Sequence, residues 1–445
     1  MSKIQTVAAI DIGTQKIVVI AGNKDEQGRV KVLGYGEAPS KGVVHGTVQN
    51  VGDLSIAISE AVAKCKEMSH LQFQNVFVGI AGQNIRTMVT SHTKYINTNI
   101  ITQDDVDCLT QEVYKLNMEP GEEIIHVIPQ EYYVDNNCIR LSAVGCSGRR
   151  LDGRFYVVLG NANAIQKIKQ AISMVGLNIL RLIYQPIASA DAVLSADDKE
   201  VGTLVADIGA GTTDITIYHD KVLRTTACIP FGSNSITNDI KEACKVIKRQ
   251  AELLKLKYAS AFSQSGYDKK IITVRGVGGR SPREISQADL ANVVNARMDE
   301  ILAGILHVMR ESGYMDNISE IVITGGGAQL ANLNQLVKFR LGRDVRIGKP
   351  RDMVIGDKFL SGVEYATIVG LLFKGIEYNE NYVETQKRRQ GEEAINGHAS
   401  DSQKTSQPAK EKDQKPKDSK KSGGFGSRFK IWLTEFFQDP EESKM

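Results

Sequence analysis

The stretch Thr203-Leu204-Val205-Ala206-Asp207-Ile208-Gly209-Ala210-Gly211-Thr212-Thr213-Asp214-Ile215-Thr216-Ile217-Tyr218 decides the fold. It reads as an apolar strand, a glycine-rich turn carrying carboxylates, and a second apolar strand. At Gly209 and Gly211 no Cβ stands between the backbone N–H groups and an approaching phosphate oxygen. An aspartate at the strand end can orient waters around Mg2+, which takes oxygen ligands and keeps several waters. About 196 residues upstream the pattern recurs as Val7-Ala8-Ala9-Ile10-Asp11-Ile12-Gly13-Thr14-Gln15-Lys16-Ile17-Val18-Val19-Ile20, too far away for a solenoid repeat. One D-x-G turn is as easily an ordinary hairpin. Two in matching settings predict a duplicated α/β domain whose hairpins face each other and clamp one Mg-nucleotide.

Two further elements fit that reading. Ile321-Val322-Ile323-Thr324 is a buried-strand pattern running into Gly325-Gly326-Gly327 and then a helix, a turn against which a flat adenine can lie. Glu252 and Lys255 stand at i and i+3 on one helix face. By themselves they read as a surface ion pair worth a few tenths of a kcal/mol; beside a nucleotide they read as a pair for the ribose hydroxyls.

The 445 residues suffice for two or three domains, with 42% hydrophobic and 24% charged residues, as in ordinary globular protein. A net charge of +3 gives no argument for nucleic acid. The six cysteines form no C-x-x-C pair or zinc spacing and are expected to be reduced and mostly buried. No apolar run reaches the roughly 18–20 residues of a membrane span. Asp11 interrupts the first apolar stretch, so no signal peptide is read and a cytoplasmic location is expected.

The globular part is expected to end near Tyr378. Residues 379–424 are Lys, Glu, Gln, Asp and Ser with almost no apolar side chain, the composition of a disordered linker. Hydrophobicity then returns in Phe425-Gly426-Ser427-Arg428-Phe429-Lys430-Ile431-Trp432-Leu433-Thr434-Glu435-Phe436-Phe437. On a helix, Phe425, Phe429, Trp432, Leu433 and Phe436 share one side with Phe437 at its edge, and Ile431 falls on the polar side. Such a helix suits the headgroup boundary of a membrane, with upstream lysines attracted to anionic lipid. A groove on a partner protein is the rival. Within the globular part, helices are expected around 54–62, 104–116 and 165–175, and strands around 126–134. The segment from about Asn84 to Gly160 is long enough for a small inserted domain.

With these residues in order, the chain resembles the actin-like (ribonuclease H-like) ATPase superfamily: hairpin 1 at Asp11, a connecting segment Tyr184-Gln185-Pro186-Ile187-Ala188-Ser189-Ala190, hairpin 2 at Asp207, Glu252/Lys255, then the adenosine turn at Gly325. Within it, the chain resembles the FtsA family of bacterial cell-division proteins. The resemblance rests on Asp11-Ile12-Gly13-Thr14-Gln15-Lys16, on His126-Val127-Ile128-Pro129-Gln130 with Gly148-Arg149-Arg150-Leu151-Asp152, on Val277-Gly278-Gly279-Arg280-Ser281-Pro282-Arg283, and on the Phe/Trp tail. It covers about residues 5–375 plus the tail.

The resemblance implies subdomain 1A at 1–83 and 162–196, an inserted subdomain 1C at 84–161, 2A at 197–228 and 303–378 with its last helix packing on 1A, 2B at 229–302, and a membrane-targeting helix at 425–438. It implies ATP with Mg2+ held through water by Asp11 and Asp207. Implied phosphate and adenosine contacts are Gly13, Thr14, Gln15, Lys16, Gly209, Gly211, Thr212, Thr213, Asp214, Gly325, Gly326 and Gly327. It implies filament formation, contacts with later division proteins through 1C, capture of the acidic C-terminal peptide of FtsZ near Arg283 and Arg297, and a peripheral place on the cytoplasmic membrane at the division site. Gln185 stands where several relatives carry the Glu that acts on the attacking water. A neutral amide orients water but is a poor base, so at most slow hydrolysis is expected. Sugar kinases, Hsp70 chaperones and a pilus-assembly relative share the core, but none has a use for the aromatic tail.

Overall fold

The computed structural model describes residues 6–139, 142–262, 270–276, 278–279, 281–351, 354–355 and 358–401. Residues 402–424 of the expected linker, and Phe425, Phe429, Trp432, Leu433, Phe436 and Phe437 of the expected membrane helix, lie outside that set.

The duplication is visible in strand order. In the first half the strands run Asn178–Tyr184, Asn75–Ile80, Val7–Ile12, Lys16–Lys24, Val30–Pro39, with Val354–Ile355 added at the edge. In the second half they run Asp344–Ile347, Glu320–Thr324, Thr203–Ile208, Thr213–His219, Val222–Ile229. Each hairpin strand that opens a half pairs antiparallel with its partner and parallel with the strand on its other side. These central strands are apolar on both faces, as strands with helices above and below must be; Val7–Ile12 and Thr203–Ile208 have every residue buried except the aspartate.

Residues of the predicted insert build a separate four-stranded antiparallel sheet, in the order Ile85–Tyr95, Arg150–Asn161, Glu122–Val134, Asn137–Ile139. It has its own core around Leu109, Leu151 and Phe155. The helix Gln103–Tyr114 crosses it, started by a capping box in which Thr102 and Asp105 satisfy each other's backbone N–H. Tyr156 accepts a hydrogen bond from Thr226 N at 2.9 Å, and Glu131 pairs with the buried Arg224 at 3.2 Å, so the insert grips the outer strand of the second half.

Two helices join the halves. The connecting helix Gln185–Val193 is buried along most of its length, with Pro186 in its first turn where no N–H is needed. The helix Ala366–Asp401 lies against it so closely that a Cβ on Gly370 would sit 1.8 Å from Ala188 O. Its apolar residues Ile368, Leu371 and Leu372 enter the first-half core, each worth about 1.5–3 kcal/mol when fully buried. The helix is described as far as Asp401, past Tyr378, where the composition reading ends the globular part and begins the linker.

The cysteines give a correction. All six are free, as expected, but among them only Cys65 is buried. Cys108 lies on the outer face of the insert helix and Cys138 on a three-residue strand at the end of the insert sheet's order, where packing does not reach.

Candidate nucleotide site

Both hairpins close with the same backbone turn. Gly13 N donates to Lys16 O at 3.1 Å and Gly209 N to Thr212 O at 2.9 Å. A Cβ on Gly13 would stand 2.7 Å from Lys16 O, closer than real Cβ atoms come. The turns touch each other: a Cβ on Gly211 would meet Thr14 Oγ1 at 2.6 Å and His45 Cα at 3.0 Å. His45, in the left-handed region at φ 46°, places Nδ1 3.0 Å from Gly211 O, while Gly46 N donates to Thr14 Oγ1 at 3.1 Å. The His45-Gly46 turn thus ties hairpin 1 to hairpin 2.

Between them opens a cleft of about 970 Å³. Its lining includes Asp11, Gly13, Thr14, Gln15, Lys16, Gln185, Asp207, Gly209, Gly211, Thr212, Asp214, Glu252, Lys255, Gly325, Gly326 and Gly327. Of the nucleotide-site residues named from sequence, Thr213 alone is missing from this lining. It is fully buried and its hydroxyl donates to Phe231 O at 2.8 Å, because alternate side chains of a strand point to opposite faces. The Gly325 turn is divided in the same way. At φ 81°, a Cβ on Gly325 would stand 2.2 Å from Asp207 Oδ1, and one on Gly327 would strike Ile208, while Gly326 has nothing within 4 Å.

Three carboxylates meet at the floor of the cleft. Burial, and then the Asp207 charge, push Asp11 up to about 7 against a lowering by Lys16. Burial raises Asp207 too, opposed by hydroxyl donors from Ser189 at 2.6 Å and Thr367 at 2.9 Å. Asp214 is pushed up to about 7 by burial, then by Asp207, and its buried Oδ1 has no hydrogen-bond partner. An all-oxygen set with an orphaned carboxylate oxygen suits a hard divalent cation. No group of three or more His, Cys, Asp or Glu side chains that could hold a metal ion occurs among the described residues.

The remaining side chains are held firmly. Gln185 Nε2 donates to Asp11 Oδ1 at 2.6 Å, leaving the amide oxygen as an acceptor. Lys16 lies 3.3 Å from Glu37 and 3.5 Å from the centre of the Tyr365 ring. Lys255 is no surface lysine: its side chain is 9% exposed and contacts Glu252, Thr237 and Ser233. His45, Thr237 and Thr367 contact residues of the site and were not read from sequence, and Ser189 was read only as part of the connecting segment. Each is a single polar residue outside any glycine signature, and Thr367 reaches Asp207 across 160 positions.

Outside the cleft, Arg283 is exposed at the start of the strand Arg283–Ser286. Arg297 makes a bidentate pair with Asp239, bonds Glu300, and lies over the Phe231 ring. No helix among the described residues is long and apolar enough to cross a membrane.

The repeated sheets, the facing turns and the cleft define an actin-like ATPase fold. Solved structures agree on the fold: a PilM–PilN type IV pilus biogenesis complex superposes at TM-score 0.61 with 15% identity, over 83% of this chain and 98% of that one. MreB5 of Spiroplasma citri bound to ADP superposes at TM-score 0.51 with 13% identity, over 86% and 98%. The chain belongs to the FtsA family of cell-division proteins. The model described as "Cell division protein FtsA" matches residues 204–370, and that of the "SHS2 domain inserted in FTSA" matches 82–159. FtsA of Pseudomonas aeruginosa is 33% identical over 372 residues, 83% of this chain and 89% of the relative. FtsA of Neisseria meningitidis serogroup B is 31% identical over 377 residues, 84% and 91%. That of Escherichia coli K12 is 30% identical over 391 residues, 86% and 93%.

Proposed function

We propose that this chain binds Mg-ATP between its two hairpins, assembles into filaments in that state, and tethers the FtsZ ring to the inner face of the cytoplasmic membrane while recruiting later division proteins. The observation that carries the nucleotide part is the pair of like turns facing one another across a cleft floored by Asp11, Asp207 and Asp214. Of the solved relatives of this fold, MreB5 is bound to ADP in one structure and to AMPPNP in another.

Asp11 and Asp207 would hold Mg2+ through its bound waters, with Asp214 lining the same cleft. The turn amides at Thr14 and Gly211 take the phosphates, with Gly13 and Gly209 closing the turns that present them, and Gly326 offers open backbone to the base. Mg2+ supplies charge neutralisation at the phosphates. Gln185 holds Asp11 with its amide hydrogen and offers its oxygen to water. An amide takes up no proton, so hydrolysis is slow and the nucleotide acts mainly through cleft closure.

FtsZ enters through the second-half small subdomain, residues 229–302, where Arg283 is available to an acidic peptide and Arg297 exchanges its Asp239 or Glu300 partner for a peptide carboxylate. The insert at 84–161 serves downstream division proteins. The aromatic segment 425–438 is the membrane anchor; one such segment binds weakly, and a filament presenting many binds by avidity.

Flotation with anionic liposomes in Mg-ATP tests the tether by comparing the full chain with one ending at Gly424. Flotation of the full chain alone is expected. Failure of both to float would remove the anchor and turn attention to a protein groove for the tail.

A further inference from the structure

Lys16 and Glu37 both line the cleft, from the strands Lys16–Lys24 and Val30–Pro39. In the antiparallel ladder Lys16 stands opposite Pro39, and Glu37 opposite Val18. The two side chains are therefore diagonal neighbours on one face, a separation that long side chains can span. They meet: Lys16 Nζ is 3.3 Å from Glu37 Oε2. The same ammonium lies 3.5 Å from the centre of the Tyr365 ring, and the Tyr365 hydroxyl donates to that same Glu37 oxygen at 2.9 Å.

Each member of this triangle fixes the others. Tyr365 is buried, and burial, and then Glu37, push its hydroxyl up, so it stays a donor at neutral pH. Lys16 is held between a carboxylate and the face of a ring, a second site of attraction for a cation. Its charge also reaches the cleft floor, where it lowers Asp11. Glu37, with its side chain 41% exposed, places a negative charge in a cleft whose proposed ligand is negative. A phosphate group that recruits Lys16 must take it from Glu37, and the two anions then repel one another.

We propose that Glu37 and the phosphates of the bound nucleotide compete for Lys16, and that Glu37 thereby holds nucleotide affinity below what the cleft could reach. This rests on the nucleotide reading above. Tyr365 acts as a positioning residue. Its hydroxyl covers part of the Glu37 charge and so lowers the cost of releasing Lys16. The two neighbours of Lys16 therefore act in opposite directions: removing the Glu37 charge tightens binding, and removing the Tyr365 hydroxyl weakens it.

The test is calorimetric titration of the full chain with Mg-ATP, in a cycle of the unaltered chain, Glu37→Gln, Lys16→Met and the double variant. Glu37→Gln keeps the shape and an acceptor for Tyr365. It is expected to bind ATP roughly fivefold more tightly, the reach of a partly exposed ion pair. With Lys16→Met already in place, the same change gains about twofold or less, the share owed to charge repulsion alone. Should Lys16→Met bind too weakly to titrate, Tyr365→Phe decides. It keeps the ring, removes the hydroxyl, and is expected to weaken ATP binding by about threefold. An equal gain from Glu37→Gln with and without Lys16, or weaker binding by Glu37→Gln, overturns the proposal. So does unchanged or tighter binding by Tyr365→Phe. No binding by the unaltered chain overturns the nucleotide reading and the proposal together.

Discussion

The two phosphate hairpins share a turn but hold their aspartates differently. In the first, Asp11 faces the apolar Val18 across the ladder and takes its hydrogen bond from one neutral amide, Gln185. In the second, Asp207 faces another carboxylate, Asp214, and is braced by two hydroxyls on two different helices, Ser189 and Thr367. The Gly325 turn closes over Asp207 as well. The first hairpin therefore has one adjustable contact. The second sets two carboxylates against each other behind a two-hydroxyl brace, and the Asp207 charge raises both Asp214 and Asp11. The two halves share the backbone turn and differ in the side chains that hold the aspartate.

The sharpest way to break the brace is Gly325→Ala. With φ at 81° and Asp207 Oδ1 2.2 Å from the new Cβ, strain and overpacking together should cost about 3 kcal/mol or more in urea unfolding. Gly326→Ala, in open space, should stay within about 0.5 kcal/mol. Equal costs would mean that the turn does not press on Asp207.

The repulsion is next, through pH. Asp11 and Asp214 sit near 7 in the folded protein, from 3.8 for an ordinary aspartate. The folded state holds their protons more tightly than the unfolded chain, so their contribution weakens stability as pH rises from about 4 to 7. Buried His126, lowered to about 3 by desolvation and then by Arg181 and Lys374, acts in the opposite sense between about 3 and 6.5. The difference between the unaltered chain and Asp214→Asn isolates the carboxylate. In EDTA, Asp214→Asn should gain stability relative to the unaltered chain as pH rises through that window, by a few kcal/mol at most, read from Tm at pH 5 and 8. A constant difference would mean that burial and the Asp207 charge do not raise Asp214.

Gln185→Glu tests the adjustable contact of the first hairpin. A carboxyl sharing a proton with Asp11 is a better base than an amide, and phosphate release should rise by about tenfold. An unchanged rate would take Gln185 out of the reaction. The smallest effect is expected for Thr367→Val, which removes one of two donors to Asp207 and should cost about 1 kcal/mol near neutral pH.

Much of this was legible in the sequence because it depends on backbone chemistry. Glycines at Gly13, Gly211 and Gly325 mark close approaches that a Cβ would obstruct, and the spacing of the glycine turns announces the duplicated fold. The insert was legible as a second run of strand and helix signals. The brace was not, because Ser189, Thr367 and Thr237 are single hydroxyls on helices whose meaning comes from tertiary contact alone. The true state of Lys255 was hidden for the same reason: i, i+3 spacing describes its own helix and not the neighbouring one that buries it. Thr213 was assigned to the cleft because it belongs to the motif, although strand alternation sends it to the other face.

The most direct test of the account is calorimetric titration of the full chain with ATP, with and without Mg2+, alongside Asp11→Asn and Asp207→Asn. The account predicts one nucleotide per chain, with affinity falling roughly tenfold or more when Mg2+ is withheld and when either aspartate is neutralised. Binding that ignores Mg2+ and both substitutions, or no binding at all, would contradict a nucleotide clamped between the two hairpins.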